Sequence, residues 1–211
     1  MTLPPDPTRG YERHAAAFLA GRNRPGAAIG AAEVRAWARD LPRDAAVLDV
    51  ACGSGVPITR ALVEEGHQVF ALDASSAMVA AFRANFPRIP VACEPVETTA
   101  FFDRTFDGIV AWGLVFLLPE EAQRVAIRRM ASALGPEGRL LFTAPAPACA
   151  WMDVVTGEPS RSLGAAAYRD LLHAEGLAVV GEYEDEGQNY YFDAVRRRGT
   201  GRFSRPAEAL P

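Results

Sequence analysis

The sequence has few of the features that mark whole classes of function. Its 211 residues carry a formal net charge of −4, so the chain lacks the excess of basic residues with which a dedicated nucleic-acid surface neutralises phosphates. No apolar run is long enough to span a bilayer, and the first ten residues lack the apolar core of a signal peptide. These absences predict a protein that binds neither nucleic acid nor membrane.

Residues that commonly bind metals or form disulfides are also scarce. The three cysteines lie far apart with no C-x-x-C pair, which indicates neither a zinc site nor a disulfide framework and favours a reduced, cytoplasmic setting. The three histidines are scattered, and no Ser/His/Asp arrangement or metal cluster is visible. His67 opens a predicted strand at the end of the sheet away from the expected site, and His173 lies on a late helix.

Apolar strand-like runs alternate with helical patterns from residue 43 onward. This alternation predicts an α/β fold with a doubly wound, mostly parallel, seven-stranded sheet, helices on both faces and a C-terminal antiparallel hairpin. We expect lid helices within 1–42, one domain over 43–198 and a flexible tail at 199–211. The turn GPEG and an Ala/Pro-rich loop through Trp151 flank the fifth strand. The strand-like stretches are DAAVLDV, HQVFALDAS, IPVACEPVE, part of TFDGIVAWGLVFLL, RLLFTAPA, LAVVGEYEDE and NYYFDAVRR.

A glycine-rich turn follows the first strand, in VLDVACGSGV. The pattern Ala51-x-Gly53-x-Gly55 resembles a dinucleotide fingerprint with its first glycine replaced, and such a turn alone is a weak signal. Asp73 ends the second strand, where a carboxylate can accept hydrogen bonds from both hydroxyls of a ribose. Because ligands of doubly wound sheets lie at the carboxyl ends of the strands, the turn and Asp73 predict a nucleoside site.

Asp49 decides which nucleoside fits. Two like charges about 4 Å apart at an effective dielectric of about 20 repel by about 4 kcal/mol, so a buried carboxylate here disfavours a pyrophosphate. S-adenosylmethionine carries a sulfonium and an ammonium and no phosphate, and the same carboxylate attracts it. The alternative is that Asp49 only caps the turn by accepting backbone N–H groups, and the two roles are compatible.

Four stretches in order resemble class I S-adenosylmethionine-dependent methyltransferases, with their Rossmann-like fold. They are VLDVACGSG, VFALDAS, VACEPVETTAFFDRTFDGIVAWGLVFLL and LGPEGRLLFTAP, and the resemblance runs from about Tyr11 to Arg197. It implies S-adenosylmethionine as cofactor, methyl transfer by in-line displacement, and a small-molecule acceptor, since the chain is too short for an added macromolecule-binding domain. The cofactor-binding residues it implies are Asp49, Ala51, Gly53, Gly55, Asp73, Ala74, Met78, Val96, Glu97, Ala111 and Trp112.

Several of these assignments have structural alternatives. The acid often found after the third strand of the family falls near Pro95, so adenine contact passes to the backbone of Val96, with Glu97 either a partner of the exocyclic amine or a solvated loop acid. Met78 can pack on the adenine or only in the core. Trp112 can face the sulfonium as a cation–π partner or simply fill the wall of the site.

The residues alone identify no catalytic group, and the acceptor site is predicted from two segments. The helix YERHAAAFLAGRNR resembles the family's lid helix, and Tyr11, His14 and Arg22 are candidates on it, either facing the pocket or capping it without contact. The turn in EDEGQNYYF gathers polar and aromatic groups whose acids favour an amine-bearing acceptor if the turn reaches the site; turn chemistry alone is the other interpretation. Its candidates are Asp185, Glu186, Asn189 and Tyr190, and Trp151 is a further candidate wall.

Two other functions fit part of this pattern. A nucleotide-dependent oxidoreductase is disfavoured by Asp49 and by the lack of a recognisable substrate domain. A module that binds S-adenosylmethionine without transferring methyl would carry the same cofactor-binding residues, so only an activity measurement separates it from an enzyme.

Overall fold

The computed structural model describes residues 6–22 and 28–197. The expected tail at 199–211 lies outside the described residues. The helices are α1 (Tyr11–Arg22), α2 (Ala31–Arg39), α3 (Ile58–Glu64), α4 (Ser76–Asn85), α5 (Glu120–Ser132) and α6 (Ala165–Ala174). The strands are β1 (Ala46–Val50), β2 (Gln68–Asp73), β3 (Val91–Cys93), β4 (Phe106–Ala111), β5 (Leu134–Thr143), β6 (Cys149–Met152), β7 (Pro159–Ser162), β8 (Leu177–Glu184) and β9 (Tyr190–Arg196).

Seven strands form one sheet in the order β3-β2-β1-β4-β5-β9-β8. Strands β1 to β5 pair in parallel, and β9 runs antiparallel to both β5 and β8. The predicted doubly wound sheet with a C-terminal antiparallel hairpin is confirmed. The chain moves outward from β1 to β3 and then returns to β4 on the other side, so a switch point lies between β1 and β4, where such sheets bind ligands.

Apolar residues on the central strands support two cores, one on each face of the sheet. All five residues of β1 are buried, as expected for a parallel strand covered on both sides. Val47 packs in the core that contains Trp37 of α2, whereas its neighbour Leu48 packs in the core that contains Ile127 of α5. The alternating faces of the strand therefore fix the sheet between its helices and leave only its carboxyl edge open for a ligand.

Two local predictions around β5 were wrong. The GPEG stretch, predicted as a turn, lies inside β5: Phe106 of β4 pairs with Leu134 and Gly108 pairs with Arg139, so the extra residues of β5 form a bulge between two paired segments. Glu137 takes a positive φ of 61° there. The loop predicted through Trp151 instead contains the β6–β7 hairpin (149–162), in which Trp151 pairs with Ser160.

The segment 6–22 crosses the carboxyl edge of the sheet and is fixed at both sides. Glu12 of α1 accepts hydrogen bonds from the Ser75 hydroxyl at 2.5 Å, the Ser76 hydroxyl at 2.6 Å and the Ala77 N–H at 3.2 Å, so its carboxylate caps the start of α4. On the other side, the Arg9 Nε donates to the carbonyl of Leu117 at 3.1 Å. This segment therefore forms a roof over the switch point. Among the described residues, no helix combines the length and apolarity required to cross a bilayer.

Candidate functional site

A cavity of about 260 Å³ lies at the carboxyl ends of β1, β2 and β4, beneath α1 and the β6–β7 hairpin. Its walls come from the glycine-rich turn, the loops after β2, β3 and β4, and the roof segment. The residues predicted from sequence that line it are Tyr11, Arg22, Asp49, Ala51, Gly53, Asp73, Ala74, Met78, Val96, Glu97, Trp112 and Asn189. The sheet thus brings together side chains that are up to 178 positions apart in the chain, from Tyr11 to Asn189.

Asp49 lies at the base of this cavity with only 1% of its surface exposed. The Thr59 hydroxyl donates to its Oδ2 at 2.5 Å. Burial raises the pKa of Asp49 to about 7, an effect that the nearby Asp73 adds to and that Thr59 and Arg22 oppose. Burial disfavours the ionised form of this carboxyl, and a positively charged ligand stabilises that form. The site therefore binds a cation more tightly than a neutral ligand.

Asp73 ends β2 and directs its carboxylate at the glycine-rich turn. Its Oδ2 accepts the Gly53 N–H at 2.9 Å, and its Oδ1 accepts the Ser75 N–H at 2.8 Å. Burial raises the pKa of Asp73, and these backbone donors oppose that rise. Each carboxylate oxygen has a second lone pair, so both retain capacity for a ligand hydroxyl at the cavity wall.

The turn between β1 and α3 depends on left-handed backbone at three positions. Ala51 has a φ of 59°, Gly53 of 54° and Gly55 of 79°. A Cβ at Gly55 would lie 2.5 Å from the Phe86 ring, so this glycine serves close packing and does not line the cavity. Gly53 has only Phe18 of α1 nearby, at 3.9 Å from its ideal Cβ position, and its backbone therefore faces the cavity under the roof.

The far end of the cavity is apolar with two acids at its rim. Met78 is 2% exposed and Val96 is 3% exposed, and the two line the cavity with Ala74 and Glu97. The Val96 carbonyl accepts the Arg129 Nε at 3.2 Å, which fixes the loop after β3. Glu94, which is not among the residues predicted from sequence, also lines this apolar end of the cavity.

Trp112 belongs to a chain of contacts that joins the roof to the β8–β9 turn. The Arg22 guanidinium lies 4.4 Å above its ring, and its Nε1 donates to the Tyr191 hydroxyl at 2.8 Å. That hydroxyl donates in turn to Asp185 at 2.8 Å. The cation over the face of the Trp112 ring is therefore the guanidinium of Arg22, a residue of the chain itself. Burial lowers the pKa of Arg22 and Asp49 raises it, and arginine stays protonated in proteins.

The β8–β9 turn contributes less to the cavity than predicted. Asp185 is buried and accepts N–H groups from Gly187 and Asn189, each at 2.9 Å, so it stabilises the turn. Tyr190 points to the opposite face of the sheet from Tyr191 and donates to Glu182 at 2.7 Å. Asp185, Glu186 and Tyr190 do not line the cavity, and Asn189 is the candidate from this turn that does.

Three further candidates also lie off the cavity. His14 is on the flank of α1, while Tyr11, Phe18 and Arg22 share the face that lines the cavity. Ala111 is fully buried in β4. Trp151 packs behind Phe116, with ring centroids 5.6 Å apart, and Phe116 itself lines the cavity.

Sequence reasoning missed the contribution of the β6–β7 hairpin. Asp153, at its tip, lines the cavity, and its Oδ2 lies 3.4 Å from the Tyr11 hydroxyl. Burial raises the pKa of Tyr11, and the adjacent Asp153 raises it further. The sequence D-V-V-T-G, with an aspartate followed by Thr156 and Gly157, carries a turn signal that could have revealed the hairpin. Within the described part of the chain, no group of three or more His, Cys, Asp or Glu side chains could hold a metal ion.

Comparison with known proteins assigns a domain to the central part of the chain. Residues 47–138 match the family described as "Methyltransferase domain". This range contains the glycine-rich turn, Asp49 and Asp73, and the loops after β3 and β4. A search of curated proteins found no match.

Solved structures share the fold at low sequence identity. The 1,6-didemethyltoxoflavin-N1-methyltransferase of Burkholderia thailandensis, solved with its substrate and S-adenosylhomocysteine, matches with a TM-score of 0.68 and 20% identity over 94% of each chain. Magnesium protoporphyrin IX methyltransferase of Synechocystis, solved with S-adenosylmethionine, matches with a TM-score of 0.70 and 17% identity over 93% of this chain and 99% of its own. The N-methyltransferase NodS of Bradyrhizobium japonicum matches with a TM-score of 0.70 and 18% identity over 92% and 100%.

Proposed function

We propose that this chain is a class I S-adenosylmethionine-dependent methyltransferase that transfers the methyl group to a small molecule bound between α1 and the β6–β7 hairpin. The match of residues 47–138 to the family described as "Methyltransferase domain" supports this proposal. The observation that carries this proposal is the pair Asp49 and Asp73, at the ends of adjacent strands and both lining one cavity. One carboxylate suits a ribose, and the other suits a cation and opposes a phosphate.

The residues present fit this cofactor at each of its parts. We assign the ribose hydroxyls to Asp73, whose two oxygens lie at the cavity wall. We assign the methionine end to Asp49 and the backbone of Ala51 and Gly53. The apolar end formed by Ala74, Met78 and Val96 suits the adenine, with Glu97 at its rim.

Bound S-adenosylmethionine supplies a methyl group on a positively charged sulfur. The residues of the chain orient the donor and exclude water from it. The roof contributes Tyr11, Phe18 and Arg22 to the cavity, so a ligand beneath α1 is shielded from bulk water. Holding the reacting groups in line in a dry site is the main source of rate in a direct displacement. The donor itself therefore needs no base, and a base is required only if the acceptor must lose a proton first.

A small molecule suits the closed shape of the site. The acceptor must reach the cavity beneath a roof that Glu12 fixes to α4, and this covered position favours a small acceptor over a macromolecular surface. One neighbour with the same fold is an enzyme crystallised with the small molecule 1,6-didemethyltoxoflavin bound. The soluble, cytoplasmic location expected from the sequence is part of this proposal.

Two measurements test the function. Isothermal titration with S-adenosylmethionine and S-adenosylhomocysteine tests whether the cavity binds the cofactor. Transfer of an isotope-labelled methyl group from S-adenosylmethionine into compounds of a cell extract tests whether the protein is an enzyme. Binding with no label transferred to any extract would favour a binding module, and binding of neither ligand would refute the proposal.

A further inference from the structure

The tip of the β6–β7 hairpin presents one carboxylate oxygen to the cavity. Asp153 Oδ1 accepts three hydrogen bonds, from the N–H of Val155 at 3.0 Å, the N–H of Thr156 at 2.8 Å and the Thr156 hydroxyl at 3.0 Å. Within residues 6–22 and 28–197, the one hydrogen-bond donor to Asp153 Oδ2 is the Tyr11 hydroxyl at 3.4 Å, a distance longer than that of an ordinary O–H···O hydrogen bond. The turn therefore fixes the side chain through Oδ1 and leaves Oδ2 available to a ligand.

No cation of the described residues forms an ion pair with this carboxylate. The nearby Arg13 pairs with Glu158 at 3.4 Å, and Arg9 donates to the carbonyls of Leu117 and Pro159 at 3.1 and 3.4 Å. The sequence contains no lysine. Asp153 is 9% exposed, and an ammonium group of a ligand at Oδ2 would give this buried carboxylate a charge-assisted hydrogen bond.

An apolar wall lies beside the carboxylate. Phe116, Leu117 and Val155 line the same cavity as Asp153. Trp151 packs against Phe116, with the two ring planes 40° apart. A ligand that fits both features has an apolar or aromatic body and a positively charged, hydrogen-bond-donating group at one end.

We propose that Asp153 selects the methyl acceptor, and that the acceptor is an amine on an apolar body. The amine binds as an ammonium that donates an N–H to Oδ2 beneath the Tyr11 hydroxyl, and its hydrocarbon part packs on Phe116. For transfer the ammonium would give up this proton to Oδ2, and the freed nitrogen lone pair would take the methyl group, with S-adenosylhomocysteine as the leaving group. This inference rests on the proposed function, because it assigns the part of the cavity that the cofactor-binding residues leave for the acceptor. It also moves the acidic recognition predicted at the β8–β9 turn to the β6–β7 hairpin, since the turn uses Asp185 for its own backbone.

The test uses two probes of the same shape and different charge. Phenethylamine is the cation and 2-phenylethanol is its neutral counterpart, and the affinity of each is measured by ligand-observed NMR on protein saturated with S-adenosylhomocysteine. A charge-assisted hydrogen bond is roughly twice as strong as a neutral one, so we expect wild-type protein to bind phenethylamine at least about tenfold more tightly than the alcohol.

The variant Asp153→Asn removes the charge and retains an oxygen for the three turn donors. We expect it to bind the two probes with an affinity ratio near one, with the affinity for 2-phenylethanol and for S-adenosylhomocysteine unchanged. Glu158→Gln is the matched control, because it removes one negative charge from the same hairpin outside the cavity, and it should keep the wild-type ratio.

Several results would overturn the proposal. One is an affinity ratio of the two probes that Asp153→Asn leaves unchanged, and another is a fall of that ratio in Glu158→Gln equal to the fall in Asp153→Asn. The third is binding of neither probe to protein that binds S-adenosylhomocysteine. If Asp153→Asn does not fold, a wild-type ratio near one is sufficient to reject it. Failure of the wild-type protein to bind S-adenosylhomocysteine would instead refute the proposed function, so the two failures are distinguishable.

Discussion

Replacing Asp49 by asparagine should make the ligand-free protein more stable and the cofactor complex weaker. The carboxyl is buried with a pKa of about 7, against an ordinary value of 3.8. At about 1.36 kcal/mol per pKa unit, keeping it ionised at high pH costs the folded state up to about 4 kcal/mol. Asparagine avoids this cost and can still accept the Thr59 hydroxyl, whose oxygen lies 2.5 Å from the carboxylate.

The pH dependence has a definite sign. Between pH 3.8 and about 7 the folded state holds a proton on Asp49 that the unfolded state has released, so the free energy of unfolding falls as pH rises across this window. Urea unfolding of ligand-free protein should therefore find Asp49→Asn more stable than wild type at about pH 8 and equal to it near pH 4.

Cofactor binding should show the opposite trend. If the sulfonium ligand binds only the ionised carboxyl, the affinity of wild-type protein for S-adenosylmethionine rises about tenfold from about pH 6 to about pH 8. In Asp49→Asn the affinity for S-adenosylmethionine should not show this rise with pH. The substitution should also lower the affinity for S-adenosylmethionine more than the affinity for S-adenosylhomocysteine, which has no sulfonium charge. Isothermal titration of both proteins at both pH values measures this. Equal slopes, together with equal stability at high pH, would refute the role given to this carboxyl.

Three further perturbations test the surroundings of the cofactor. Arg22→Gln removes a cation that lowers the pKa of Asp49, so the rise of S-adenosylmethionine affinity with pH should shift to higher pH in isothermal titration; an unshifted profile would show that the two charges do not interact. Asp73→Ala should abolish most S-adenosylmethionine affinity, because the ribose loses its acceptor, and an unchanged dissociation constant would remove this residue from the site. Glu12→Ala frees the start of α4 from α1, so hydrogen exchange in α1 should accelerate; protection equal to that of wild type would mean that other contacts hold the roof.

The central sheet was predictable because its signals are local and repeated. Each parallel strand is a short apolar run, and β1 is buried along its whole length, so the strand and the turn after it stand out from their neighbours. The same locality explains why Asp49 and Asp73 could be paired: residues at the carboxyl ends of adjacent parallel strands must meet at one edge.

The β6–β7 hairpin could not be predicted in this way because its strands are short and contain no apolar alternation. Each has four residues, and β7 starts with Pro159, a position at which a strand tolerates proline but gains no strand signal from it. The hairpin is stable as a pair of strands on the edge of the domain, with Gln123 of α5 donating to the Arg161 carbonyl at 3.0 Å. Such tertiary support leaves no periodic pattern in the sequence, so the turn signal around Asp153 was the one local cue to this hairpin.

The acceptor candidate on β9, Tyr190, lies away from the cavity for a geometric reason. Successive side chains of a strand point to opposite faces, so Tyr190 and Tyr191 cannot both face the cavity. The tyrosine that contacts the site through Trp112 is Tyr191, and the register that decides this comes from pairing with β5. The acids before it were abundant enough to suggest recognition, but Asp185 is used by its own turn.

The choice between a cationic and a phosphorylated nucleoside can be measured directly. Parallel calorimetric titrations of one wild-type preparation with S-adenosylmethionine and with NADH compare the two ligand classes at the same site. The buried carboxylate of Asp49 predicts saturable binding of S-adenosylmethionine and none of NADH. Tight binding of NADH, or no heat with S-adenosylmethionine, would contradict the account.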